Sequence, residues 1–492
     1  MRKLSGLLAI GIFVFGITNA AGQDTRPAAS KTSVSALLAR AREVMGFEHA
    51  GNRVVHARAI TAAEQNFQSD RMYPPFFSIM NSEEIWFDPA HGVLRIQAQT
   101  MWPGAGPSPM SASVDDGRYA ELVRAQGNVP LSRRQALNRA LSAWAVIADW
   151  STANNVRQAG TEIYRDYPRT VLVRSAPEGE QKLYLDLKSG FPVKLDYVEP
   201  HYLWGQRHVE YVWSTWVMKD RVFVPGSAFR VADGDVELSQ TVGDIELVER
   251  ERAPALEPPS APAQVPPDLP VFLQPLPTQT ISISPNLYLL ANRGYREAVA
   301  LMNGEIFVLE ATQGEARARQ DQEKIAQLFP GQHKVNVVVT DLAWPHVAGV
   351  RYWVSQGATI IAHASARGFL QQVVERRWTL APDTLELERR KNPAKARLKF
   401  ISVEQAMTAA KGGVRLFPID GIGSEIALMA YFPQEKFLWA SDFIQTLDEP
   451  SAYANEVMLA AKRNNIEPER VAAEHLPLSD WKSVRSAQEK TN

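Results

Sequence analysis

The chain has 492 residues, 45% of them hydrophobic and 22% charged, with a formal net charge of −1 at pH 7. That size accommodates two or three ordinary domains with sizeable cores. The near-zero charge excludes a dominant electrostatic drive toward nucleic acid. The absence of cysteine excludes disulfides, thiolate zinc sites and cysteine nucleophiles.

Arg2 and Lys3 precede an apolar run from Leu7 to Ile17 and the small-residue stretch Thr18-Asn19-Ala20-Ala21-Gly22. This is the layout of a secretory signal peptide over residues 1–21. A membrane anchor is the rival reading, but the run falls short of the roughly 20 residues a span needs. The expected product is periplasmic or secreted, with no stable membrane span after signal cleavage.

Residues 31–252 read as an N-terminal domain, mainly antiparallel β with flanking helices. Helical periodicity covers Val34–Arg42 and Ser132–Trp150, the latter started by Pro130. Alternating segments such as Glu84–Asp88, Val93–Ile96, Arg169–Val173 and Lys182–Leu187 read as strands, and Asp116-Gly117, Ser189-Gly190 and Asp233-Gly234 read as turns. The hairpin-like segments in Gln181–Val248 resemble those of lipoprotein-carrier-like half-barrels. The aromatic run His201-Tyr202-Leu203-Trp204, with Tyr211, Trp213 and Trp216, either lines a ligand groove or fills the buried face of the sheet. The second reading is preferred.

Residues 253–279 are so rich in proline that neither helix nor central strand fits, and a stiff extended linker is expected. Residues 280–485 then alternate strand and helix. Ala298–Met302 and Ile306–Glu310 read as paired strands, Glu315–Leu328 as an amphipathic helix, Val335–Thr340 as a buried strand, Val347–Gln356 as a helix and Ala358–His363 as the next strand. This is an α/β pattern.

Val337-Val338-Val339-Thr340-Asp341-Leu342-Ala343-Trp344-Pro345-His346 has the form of a buried strand running into a ligand-bearing turn. It resembles the metallo-β-lactamase superfamily signature, Thr-His-x-His-x-Asp-His after a strand. Other segments follow in the family's order. Pro285–Leu290 resembles its first strand and Gly357–His363 the strand after the motif helix. Tyr431–Asp442 resembles the Pro-x-x-Lys-x-Leu-x-x-x-Asp hairpin, and Arg470–His475 the closing strand that ends in a ligand His. The resemblance implies an αββα metallo-β-lactamase-like sandwich. In intact relatives it also implies zinc held by imidazole and carboxylate, which lowers the pKa of bound water.

Matched residue by residue, the motif is eroded. Asp341, Ala343 and Pro345 stand where the family has His, His and Asp, and Ser424 stands where a further His is expected. His346, Asp442 and His475 match surviving ligands. A two-metal catalyst is therefore not expected, and at most one zinc ion is. His363 is expected to be a strand-end residue and not a ligand. The favoured reading is an exported, non-catalytic or weakened relative that binds a small molecule or a protein. The alternative is a mononuclear-zinc hydrolase using His346, Asp442 and His475.

Overall fold

The computed structural model describes residues 32–489, except 66–76, 102–106, 116–117, 124–126, 131–142, 177–178, 257–276, 293, 395, 422–424 and 448–451. The expected signal peptide, most of the proline-rich segment and Ser424 lie outside the described residues.

Residues 53–249 build one antiparallel sheet, with 13 strands among the described residues. Two meanders meet where Arg53–Gln65 pairs with Asp235–Glu249. One runs outward to Gly127–Pro130 and the other back to Val156–Tyr164. Inward residues alternate along each strand, as in Val55, Ala57 and Ala59 or Val209, Tyr211 and Trp213. They close over two helices, Val34–Met45 and Ala143–Thr152, through Leu38, Ala41, Met45, Trp144, Ile147 and Trp150. The second helix ends close to where its periodicity predicts, and 131–142, where its expected first turns fall, lie outside the described residues. Gly46 ends the first helix at φ +82°, where an added Cβ would lie 2.1 Å from the Arg221 carbonyl oxygen.

The expected linker does not begin at Ala253. Leu256 is buried against Val54, Trp86 and Val93, and Arg95 donates to the Ala255 carbonyl. Apolar burial of that one leucine keeps the first residues of the segment on the sheet.

The C-terminal part has two sheets, of seven and six strands among the described residues. Period-two alternation assigns each face. Phe307 and Leu309, Val338, Ile361, Leu428, Ala430, Phe437 and Trp439 face one another between the sheets. Their neighbours Ile306, Val308, Val337 and Ile360 face the helices Glu315–Leu328, Val350–Ser355 and Arg367–Glu375. Met429, Leu438 and Val471 face Ala452–Arg463 and Trp481–Glu489. The layers therefore run helix, sheet, sheet, helix.

The single helix expected over Val347–Gln356 is two, Trp344–Val347 and Val350–Ser355. Gly349 lies between them because its N–H donates to Ala311 O at 2.7 Å, and a Cβ there would sit 3.0 Å from that oxygen. Among the described residues no helix is long and apolar enough to cross a membrane.

Candidate metal centre

Strand direction determines where functional side chains collect. Glu305–Leu309 runs parallel to Lys334–Val338 in one sheet, and Phe437–Trp439 runs parallel to Arg470–Ala472 in the other. The residues just past their carboxyl ends are Glu310, Asp341, Asp442, Glu474 and His475. In open α/β sheets such strand ends are where ligands bind.

Glu310 adopts φ +82°, and its carboxylate accepts from the Thr340 hydroxyl, the Thr340 N–H at 3.3 Å and Trp439 Nε1 at 3.2 Å. Thr340 Oγ1 also bonds Ser441 Oγ at 2.7 Å, and Leu428 N–H donates to Thr340 O at 2.8 Å. These bonds stitch the two sheets together directly beneath the cluster.

His346 is 3% exposed. Its Nδ1 lies 2.9 Å from each oxygen of Asp341 and 2.6 Å from Glu474 Oε2. Asp341 in turn accepts from Ala343 N–H at 2.8 Å and Ser441 Oγ at 3.3 Å. Burial opposes a charge on His346, but Asp341, Glu474 and Asp442 outweigh it and hold the imidazolium well above its ordinary range.

His475 is half-buried. Its Nδ1 donates to Gly294 O at 3.1 Å, which leaves Nε2 directed at Asp442 Oδ1, 3.6 Å away. A carbonyl on one ring nitrogen that frees the other is how ligand histidines are oriented. Burial, and then the His346 charge, pushes the His475 pKa down to about 4, so the ring is neutral. Asp442 accepts from Gln445 Nε2 at 2.6 Å. The Tyr295 ring lies edge-on to both imidazoles, with centroids 5.9 Å from His346 and 4.8 Å from His475.

Glu474 is fully buried, with Oε2 paired to His346 Nδ1 at 2.6 Å and Oε1 without a hydrogen-bond partner. Burial raises its pKa well above the ordinary value against the pull of His346, and Glu310 is raised too, by burial and then by Asp341 and Glu474. Four carboxyl groups thus share a water-poor site with one imidazolium; burial and mutual repulsion disfavour the charged forms of Glu310 and Glu474, a penalty that a cation would offset.

Ligand atoms of His346, Asp442, Glu474 and His475 all lie within 4.8 Å of one another. The donor set of two imidazoles and two carboxylates, one of them buried with its Oε1 unpartnered, fits a divalent ion. Of the sequence-derived ligands, His346, Asp442 and His475 meet here. Asp341 reaches the site through His346, while Ala343 and Pro345 contribute only backbone, the latter as acceptor for Gln313 N–H at 2.7 Å. His363 ends the strand Thr359–His363 and accepts from Ser365 N–H. Sequence reasoning missed Glu474 and Glu310. The available signal was their place just after short apolar strands, Glu474 immediately before a ligand-like His.

A second group, Asp196, His208 and Glu210, also brings ligand atoms together. Lys194 Nζ already serves it, 3.2 Å from Asp196 Oδ2 and paired with Glu210. That cluster is satisfied as an ion-pair network.

The sequence matches no protein-family model and no curated protein. Solved structures do align with part of the chain. The DIM-1 metallo-β-lactamase aligns at 15% identity over 44% of this chain and 98% of its own, with a TM-score of 0.33. TMB-1 aligns at 14% identity over 44% of this chain and 99% of its own, TM-score 0.33. The metallo-β-lactamase from Pontibacter korlensis aligns at 15% identity over 43% and 97%, TM-score 0.33.

Proposed function

We propose that residues 280–485 form a metallo-β-lactamase-like domain whose two-metal centre has been reduced to one divalent cation position, and that this centre serves binding and not turnover. Zinc is the ion the donor set suits. The observation that carries the reading is Glu474, a fully buried carboxylate paired with His346 through Oε2, unpartnered at Oε1, and grouped with Asp442 and His475.

When bound, zinc would supply positive charge and Lewis acidity. The remaining roles belong to the chain. Asp341 orients His346, the Gly294 carbonyl orients His475, and Gln445 holds Asp442. His346, Asp442, Glu474 and His475 would offer four protein donors, the number a closed zinc site takes, whereas catalytic zinc keeps a position open for water. The sealed position of Glu474 argues for the closed kind of site.

The second reading, a single-zinc hydrolase on His346, Asp442 and His475, is favoured by the partial exposure of His475. One variant separates the two. Under the first reading Glu474→Gln loses zinc, measured by elemental analysis of the purified, metal-saturated full chain, and parent protein hydrolyses neither ester, amide nor lactam. Under the second Glu474→Gln keeps zinc, and the parent shows turnover abolished by His346→Ala. A parent without zinc, with the same content as His475→Ala, refutes both.

Export belongs to the same proposal. It is supported by Arg2-Lys3, the apolar Leu7–Ile17 run and the small residues that follow, and mass spectrometry of the native N-terminus tests it. The partner proposed for the domain is a small molecule or protein, and the balanced net charge argues against nucleic acid.

A further inference from the structure

The hairpin joining Pro192–His201 to Gly205–Lys219 belongs to the N-terminal sheet, yet its tip lies in the C-terminal core. His201 pairs with Gly205, so Tyr202, Leu203 and Trp204 form a three-residue loop. Gly205 takes φ +74°, the left-handed position such loops require. The His201 ring fixes the loop, its Nδ1 accepting from Leu203 N–H and Trp204 N–H, both at 3.1 Å. Leu203 is fully buried and belongs to the same apolar cluster as Val347, Phe369 and Leu370, residues of the layer that carries the motif turn.

The tip grips that turn through Trp344. The Trp344 ring stands edge-to-face with His201 at 5.3 Å and with Trp204 at 6.0 Å, and the Arg207 guanidinium lies 5.5 Å from its centroid. Arg207 is itself held, by Asp233 at 3.3 Å, by Glu237 and by the Ala232 carbonyl. Arg376 locks the hairpin from the other side, donating to Trp204 O at 3.1 Å and Gln206 O at 2.8 Å and pairing with Asp233 at 2.6 Å. Gln206 Oε1 accepts from Thr379 N–H and Leu380 N–H at 2.9 and 3.0 Å. Trp344 and His346 share one short helix, Trp344–Val347.

We infer that the His201–Gly205 hairpin positions the metal centre: by clamping Trp344 it holds the turn that presents His346 to Asp341 and Glu474, so zinc affinity depends on the N-terminal sheet. This rests on the single-cation reading above. The residues concerned are positioning residues, none of them in the cluster itself. The turn is braced from within by Gln313 N–H on Pro345 O and Ala311 N–H on His346 O. The hairpin supplies the opposing wall, and a clamp needs both. An aromatic face is what the clamp uses, so its effect is specific to ring geometry and not merely to filled volume.

The test is zinc titration of the full chain against a chromophoric chelator, alongside thermal unfolding. Trp344→Leu and Trp204→Leu are expected to weaken zinc binding about 10-fold or more, the usual scale for lost outer partners of a metal ligand. Trp344→Phe, which keeps a ring for the clamp, is expected to recover most of it. Trp204→Leu provides a second reading should Trp344→Leu fold poorly. Leucine variants whose melting temperature falls while zinc affinity stays within about twofold of the parent would overturn the inference, since edge-to-face contacts would then be packing alone. Equal weakening by Trp344→Phe and Trp344→Leu would also overturn it. Loss of binding in Glu474→Gln without loss in the tryptophan variants would leave the cation site standing and remove only the clamp. A parent that binds no zinc would remove both.

Discussion

Arg351 offers a sharp test of what holds the C-terminal helices. Its side chain is 2% exposed and fully used. Nε and Nη2 fork onto Asp383 at 2.6 and 2.9 Å, and Nη1 donates to the carbonyls of Val373, Val374 and Arg376 at 2.7, 3.0 and 2.9 Å. Those carbonyls are the open end of the helix Arg367–Glu375, and Asp383 is the N-cap of Thr384–Lys391, accepting from Glu386 N–H at 2.8 Å. One guanidinium therefore closes one helix and anchors the start of the next. Arg351→Met keeps much of the stem volume but takes the guanidinium from a buried carboxylate and from the Val373 carbonyl, while Arg389 still serves the Val374 and Arg376 carbonyls. Breaking a buried pair from one side costs about 3–5 kcal/mol. At about 2–4 °C per kcal/mol for a domain of this size, the melting temperature should fall by roughly 6–20 °C. Calorimetry or circular dichroism of the full chain reads this directly. The double variant Arg351→Met/Asp383→Asn should recover part of the loss, because the stranded charge has gone. A loss below about 1 kcal/mol, or a double variant whose cost is the simple sum of the singles, would refute the reasoning.

Glu297 is fully buried and held at about 8 by its burial and by Asp321, although Arg317 and two bonds from Thr312 pull the other way. The native state therefore keeps a proton that the unfolded chain releases from about pH 4.5, and stability should decline as pH rises between 4.5 and 8. Glu297→Gln should flatten that slope in urea midpoints taken from pH 5 to 8, and an unchanged slope would assign it elsewhere. Gly205→Ala must bring a Cβ within 2.2 Å of the Trp378 ring at positive φ, and should cost about 1–3 kcal/mol by thermal unfolding. His363→Ala should leave zinc content unchanged, since the ring serves only to accept from Ser365 N–H among its described bonds; reduced zinc in that variant would place the site wrongly.

The C-terminal strands were legible because their alternation is strict. Ile306-Phe307-Val308-Leu309 and Val337-Val338 send successive side chains to opposite, equally apolar faces, and such runs read as strands buried on both sides. The N-terminal strands were legible for the opposite reason, with polar residues outside and apolar residues inside. Residues whose role is set by tertiary approach were not. Nothing local distinguishes Tyr202-Leu203-Trp204 from aromatics lining a sheet. Trp213 does line it, while Leu203, ten residues earlier, joins the other core. The break at Gly349 was equally hidden, because the carbonyl that requires a glycine belongs to Ala311.

Glu474 shows why the candidate site was only half readable. Along an extended strand Glu474 and His475 would point to opposite faces. The strand stops at Ala472, however. Ala473 N–H turns back to Leu476 O, and Glu474 N–H bonds Ser441 O. Arg296 then holds both carbonyls, its N–H on Glu474 O at 2.9 Å and Nη1 on His475 O at 2.8 Å. The turn brings two consecutive side chains to one place. A carboxylate reaches His346 from the second sheet, whereas the position next to it in the first sheet is Pro345. A motif read along the chain registers that proline as a loss. Across the gap between the sheets, Glu474 Oε2 stands 2.6 Å from His346 Nδ1. Under the proposed reading, the centre kept a carboxyl group beside His346 while changing which strand supplies it. Ligand counting along the motif therefore misses a carboxyl group that reaches His346 from outside it.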